Sequence, residues 1–238
     1  MSKKETFWIP YADLMTVLMV IFLFISLSYM GLVQFQKNQQ DEMFKEYKQT
    51  KKALYTELDS TFKDNFKIWN VAIDSSDLSI KFNNPQVLFA QGSDEVNNNF
   101  QAILQKFFPK YLSIVLQEKY KDKISEIRIE GHTDTRPTGQ TNDPYIDNVI
   151  LSQKRSMQVL RFVRNLSAFR TLDEIKKGQL QFWLTANGFS YGRTLDDNNK
   201  FTYLSKKPAN EDLSRRVEFR IITTSDKLVE KVLEQLNK

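Results

Sequence analysis

Residues 129–134 read Ile-Glu-Gly-His-Thr-Asp, and residues 215–218 read Arg-Arg-Val-Glu. The first stretch closes a run, Ile124 to Glu130, whose β-branched residues predict a strand. The second opens another, Val217 to Thr223. Leu78 to Phe82 and Leu180 to Ala186 have the same character. Helical patterns fill the spaces between them, over Glu95 to Tyr120, Asn148 to Leu166 and Asp226 to Leu236. Strands separated by helices predict an α+β domain, an α/β sandwich on a mixed sheet. Aromatic residues make up 13% of the chain, ample for its core.

The sequence ahead of this domain is of another kind. From Leu14 to Val33 no residue is charged, and Leu, Val, Ile, Phe and Met dominate. About 20 helical residues cross the ~30 Å hydrocarbon core of a bilayer. A cleaved signal peptide has a shorter apolar run and a small-residue cleavage site, which Ser28-Tyr29-Met30-Gly31 does not supply. The run therefore reads as a membrane anchor in contact with lipid. Lys3 and Lys4 precede it and Lys37, Lys45 and Lys48 follow it, so loop charge decides its orientation only weakly.

Between anchor and domain, Gln34 to Trp69 contains no Gly or Pro. Met43, Tyr47, Leu54, Leu58, Phe62 and Phe66 fall mostly at helical spacing. The segment reads as an amphipathic helix, either packed on its own domain or paired in a dimeric coiled coil. The expected organisation is a tail over residues 1–6, a membrane helix over 7–35, a helical linker over 36–70, the domain over 71–224 and a C-terminal helix over 225–238.

Composition removes most chemistry. Lys and Arg number 34 against 29 Asp and Glu, a net charge of +5 with basic and acidic residues interleaved, so no nucleic-acid stripe is present. The chain has no cysteine and one histidine. That excludes disulfides, thiolate metal sites, a thiol nucleophile and a multi-histidine metal centre within one chain. No enzyme activity, cofactor or metal is expected.

Asp13 heads the apolar run. Pro10 suits the first turn of a helix, and an acidic residue there meets the positive end of the dipole, so Asp13 could be a cap. Yet Phe7, Trp8 and Ile9 precede it, and Trp favours the membrane interface. Measured from Trp8, Asp13 lies about a turn inside. A charged Asp deep in a bilayer costs roughly 2.5–3.5 kcal/mol even on the lenient insertion scale, so such residues face protein or water and often carry protons.

Trp8 with Tyr11-Ala12-Asp13-Leu14-Met15-Thr16 and the apolar run behind them resembles the membrane segment of the B subunits of flagellar stators and of the Zorya anti-phage system. The resemblance implies that Asp13 is the proton carrier of a rotary motor, with two B helices inside a ring of five polytopic A subunits. It also implies that the segment past the membrane can act as a plug. The short lead, the short linker and the run Val20 to Ser26 resemble the Zorya type more than the flagellar one. Proton rather than sodium use follows only from the resemblance. A passive tether between membrane and wall is the other reading, with Asp13 as a cap.

Residues Ile129 to Asp134, then Asn148-x-x-Leu151-Ser152-x-x-Arg155 and Arg215-Arg216-Val217-Glu218, resemble an OmpA-like peptidoglycan-binding domain. Leu88-Phe89, Gly92-Ser93, Glu95 and Asn187-Gly188 fit the same pattern. The resemblance implies that Asp134 accepts the amine of a diaminopimelate stem and Arg155 donates to its carboxylate. Thr133, Asn148 and Arg216 would complete the site. Asn148 would also N-cap its helix. Without the family, Asp134 and Arg155 read as a structural ion pair. Either Arg215 or Arg216 lines the site and the other is an exposed strand residue. His132 reads as a packed turn residue. The 135–147 loop is longer than the usual pattern, and Ser156 and Ser214 depart from it. Residues 191–210 read as a polar loop without an assigned role. A peptidoglycan domain belongs in the periplasm, which puts the N-terminus in the cytoplasm of a single-pass inner-membrane protein. The expected partners are the A subunit, a second copy of the chain, lipid and peptidoglycan.

Overall fold

The computed structural model describes residues 9–83, 85–90, 92–136, 139 and 141–226. The expected C-terminal helix therefore lies outside the described residues but for its first two positions, as does the 1–6 tail. Two compact units are present, Met1–Glu46 and Tyr47–Lys238.

The first unit is described by helix α1, Ile9–Phe62, whose later residues belong to the second unit. Its apolar stretch is long enough to cross a membrane, and all of its residues from Tyr11 to Val33 are exposed. That is the expected condition of a helix that faces lipid or other protein rather than its own core.

The second unit follows as α2 (Phe66–Trp69), β1 (Val71–Asp74), β2 (Ser79–Phe82), α3 (Pro85–Leu88), α4 (Asn98–Val115) and β3 (Ile124–Gly131). Then come α5 (Pro144–Asn165), α6 (Ser167–Arg170), α7 (Glu174–Trp183), β4 (Leu184–Gly188), α8 (Thr202–Ser205), α9 (Glu211–Ser214) and β5 (Val217–Thr223). The sheet order is β1-β2-β5-β3-β4, with β3 and β4 parallel and the other pairs antiparallel. The α+β class and mixed sheet are as expected.

Strand register sorts the two faces. One row across all five strands is Ile73, Ile80, Phe219, Ile129 and Ala186. Alternation places the next row, Ala72, Lys81, Glu218, Glu130 and Asn187, on the opposite face. The apolar face carries the helices. Phe107 of α4 meets Phe82 and Phe219 edge-on, each at 5.1 Å between ring centres. Val159 and Val163 of α5 and Leu180 and Trp183 of α7 join the same core.

Leu54, Leu58 and Phe62 of α1 are buried in this core too, with Phe62 5.0 Å from Phe107. Residues 47–62 are thus part of the domain, and the self-packing reading of the linker holds for them. The compact unit that holds the sheet begins at Tyr47, within α1.

Three sequence readings need correction. Leu180 to Trp183 is the end of α7, not the start of a strand. Leu180, Trp183 and Leu184 recur at helical spacing, which a run of alternating Leu, Phe and Leu disguises. Val71–Asp74 is an additional edge strand, β1. Asn148 does not cap its helix. α5 begins at Pro144 with Asp143 as N-cap, whose carboxylate accepts from the Tyr145 and Ile146 amides. An Asp followed by Pro at the first helical position is a strong start signal, so the helix takes up the end of the expected loop.

Candidate functional site

The site forms where β3 ends beside α5. Gly131 and Gly188, side by side in the parallel pair, let the helix backbone press on the sheet. A Cβ on Gly131 would stand 2.3 Å from the Ser152 carbonyl oxygen, and one on Gly188 2.4 Å from the Gln153 nitrogen. Gln153 locks the contact, donating to Ala186 O at 3.1 Å and accepting from the Gly188 amide at 2.8 Å. This close seat brings Asn148 and Arg155 to the chain that leaves β3.

That chain is tied residue by residue. The His132 amide donates to Arg216 O and the Thr133 amide to Ser190 O, both at 3.0 Å. Asp134 follows, 6% exposed. Its carboxylate accepts from Arg136 Nε at 2.8 Å and from Arg215 Nη1 at 2.6 Å. Arg155 is nearly buried, donates through Nε to Ser93 O at 2.9 Å and lies 4.9 Å over the Phe89 ring. Burial lowers its guanidinium to about 10 while Asp134 and Asp94 act to raise it, so it stays a cation at neutral pH. Asp134 and Arg155 feel each other's charge but are not directly paired, so the simple ion-pair reading does not describe them. Asn148 braces the loop, its amide nitrogen donating to Arg136 O at 2.9 Å and Pro144 O at 3.0 Å. Thr133 is buried.

The arginine pair divides in an unexpected way. Arg215, partly exposed, reaches Asp134. Arg216 is 2% exposed and donates to Glu218 Oε1 at 2.6 Å, Arg193 O at 3.2 Å and Ser214 O at 3.3 Å. Arg216 therefore serves the buried polar face and not the Asp134 site, and neither arginine is an exposed strand residue. Arg136 is a partner that the sequence motif does not name; its only signal there is an arginine two residues after Asp134.

On the polar face Glu130 and Glu218 stand directly opposite each other, both fully buried. His132 Nε2 lies 3.6 Å from a carboxylate oxygen of each, and its ring stacks on Phe189, centres 5.4 Å apart. Donor atoms of the three residues fall within 4.8 Å of one another. However, Arg216, Arg220 and Arg193 approach the same carboxylates at 2.6–3.7 Å. Three guanidiniums already face the two acids, with Arg220 also paired to Asp77 at 2.8 Å, and would repel a divalent cation. The cluster is a charge-balanced structural network.

Burial, aided by Arg216, lowers His132 to about 4. Burial alone would raise Glu218, but Arg216, His132, Lys81 and Arg220 hold it down at about 2. Both groups bind protons more weakly folded than unfolded, so their contribution is present at neutral pH and lost on acidification. The windows run from 6.5 down to about 4 for His132 and from 4.5 down to about 2 for Glu218. The His132 part is on the order of 3 kcal/mol at about 1.4 kcal/mol per pK unit. Melting temperature followed from pH 7 to 4 should fall, and His132→Gln should flatten that slope. An unchanged slope in the variant would remove His132 from the explanation.

Asp13 lies on α1, at least one full turn inside it, since the described helix already begins at Ile9. It is past the positions where a side chain can cap the first amides. Thr16 follows one turn later, its hydroxyl donating to Ala12 O at 2.7 Å.

No protein-family model matches the chain. The chain is 34% identical over 236 residues to the Zorya protein ZorB of Escherichia coli (strain Crooks), covering 98% of this chain and 95% of that one. A second Zorya protein ZorB, from Escherichia coli O139:H28, is 26% identical over 228 residues, 92% of this chain and 81% of that one. Among solved structures, a MotB-like protein from Desulfovibrio vulgaris is similar at 21% identity with a TM-score of 0.47, covering 73% of this chain and 91% of that one. With a third of its residues shared along nearly the whole length of both proteins, the chain belongs to the Zorya protein ZorB family.

Proposed function

We propose that this chain is the wall-anchored B subunit of a proton-driven rotary motor in the bacterial inner membrane, serving the Zorya anti-phage system. Asp13 carries the reading: a carboxylate in the otherwise uncharged stretch of α1 from Ile9 to Gln36, too deep to cap the helix. A lone helix would leave that group facing lipid, so it needs partner helices. A homodimer inside a ring of about five polytopic A subunits, the arrangement that the stator resemblance implies, meets the need. One charge moving down the membrane potential yields about 2.3 kcal/mol per 100 mV, roughly four times thermal energy, enough to bias a rotation step. The N-terminus then lies in the cytoplasm and the domain in the periplasm. A plug role is confined to residues ahead of Tyr47, because those behind it are committed to the domain core.

Torque needs a fixed partner, and the domain supplies one by holding peptidoglycan. A diaminopimelate residue presents an amine and a carboxylate a few ångströms apart. Asp134 is the acceptor for the amine once Arg136 and Arg215 yield, and Arg155 is the charged donor for the carboxylate. Thr133 and Asn148 hold the loop around them. Asp134→Ala and Arg155→Ala should each weaken co-sedimentation with sacculi at least about tenfold, the loss of one charged hydrogen-bonded contact. Full binding by both variants would remove this site from the mechanism.

A further inference from the structure

Two tyrosines stand at the Asp134 end of the site, tied through Ser190 to Thr133, and belong to no part of the hydrophobic core. Tyr145 occupies the first turn of α5 and is 43% exposed. Tyr191 is half-buried in the loop after β4. Their rings meet edge to face, 5.3 Å between centres and 89° apart, forming an open L-shaped corner. Gly192 lies against Tyr145, where a Cβ would come 3.4 Å from its hydroxyl, so no further side chain stands in that place. Ser190 fixes the corner to the site. Its hydroxyl donates to Tyr145 O at 3.0 Å, and its carbonyl accepts from the Thr133 amide at 3.0 Å.

We propose that Tyr145 and Tyr191 form a saccharide platform that seats the glycan strand while its stem peptide occupies Asp134 and Arg155. The inference rests on the peptidoglycan reading and extends it to the sugar. A pyranose presents C–H groups on one face and hydroxyls at its rim. An aromatic face with a phenolic hydroxyl matches both, and tyrosine has few torsions to freeze. The spacing fits. Ten residues separate Tyr145 from Arg155, about 15 Å along the helix. A stem extended over three residues covers about 10 Å, the same order as that separation.

The test uses the full-length chain in detergent and three ligands: a diaminopimelate-containing tripeptide, the same tripeptide on its disaccharide, and a peptide-free glycan oligomer. Wild type should bind the disaccharide form at least tenfold more tightly than the tripeptide. In the Tyr145→Ala, Tyr191→Ala double variant that ratio should fall to near one, while Tyr145→Phe keeps it. Equal melting temperatures verify that the variants are folded. A ratio preserved in the double variant overturns the proposal, as does a wild type that binds the tripeptide without gaining from the sugar. The stem site fails separately: a wild type that binds the glycan oligomer through the tyrosines but ignores the tripeptide keeps the platform and loses Asp134 and Arg155. Binding of none of the three ligands ends both readings.

Discussion

Asp13→Asn is expected to give a motor complex that assembles normally and does no work. The amide keeps the shape and most of the polarity of the carboxylate, so helix packing and partner binding should survive. It cannot take up and release a proton, and the cycle proposed here needs both states of one group. The carboxylate must be neutral to cross apolar surroundings and charged to be pulled by the potential. Proton flux through the co-expressed complex and protection against phage should both fall to background, a loss of about two orders of magnitude or more. The loss is that large because without the carboxylate no proton is loaded, so the ~2.3 kcal/mol per charge per 100 mV is never drawn on. Protection at wild-type level from the Asn variant would end the proton-carrier role.

The second large effect is structural and lies behind the site. Gly131→Ala places a methyl group 2.3 Å from the Ser152 carbonyl oxygen, and Gly188→Ala places one 2.4 Å from the Gln153 nitrogen. Both obstacles are helix backbone, which cannot rotate aside as a flexible side chain would. α5 must lift from the ends of β3 and β4, breaking the bonds from Gln153 to Ala186 and Gly188. Overpacking commonly costs about 1–3 kcal/mol, and a rigid obstacle belongs at or above the top of that range. Either substitution should lower the domain's unfolding free energy by ~3 kcal/mol or more. Because α5 also carries Asn148 and Arg155, sacculus binding should weaken together with stability. A denaturation midpoint within experimental error of wild type would mean that the helix is not seated this closely.

Much of this arrangement is legible in the residues themselves. β5 at Val217–Thr223 falls where alternation placed it, and β3 is one residue longer than read. The spacing of Leu54, Leu58 and Phe62 correctly marked an apolar helix face, while its partner, the α4 side of the core, was invisible because it comes from residues far along the chain. The end of α7 reads as strand because four residues suit either period. Arg216 shows another limit. Alternation after Val217 assigns Glu218 and Arg220 to a polar face, and polar usually means wet. Here the face is closed by its own arginines, by Phe189 on His132 and by Arg193 at Glu130, a tertiary fact with no local signature. At the candidate site, Asp134 follows the end of β3 and Arg155 lies on α5, the strand end and helix that the motif implies, while their present partners have no signal in it. Arg136 and Arg215 hold Asp134, and Ser93 O engages Arg155.

The most direct test of the motor reading is purification of the tagged chain from its native host in mild detergent, with the mass of the complex and its partners measured. A complex containing a polytopic protein, near five copies to two of this chain, is the predicted result. Recovery of the chain without any polytopic partner, under conditions that keep flagellar stators intact, would contradict it and leave a passive tether between membrane and wall.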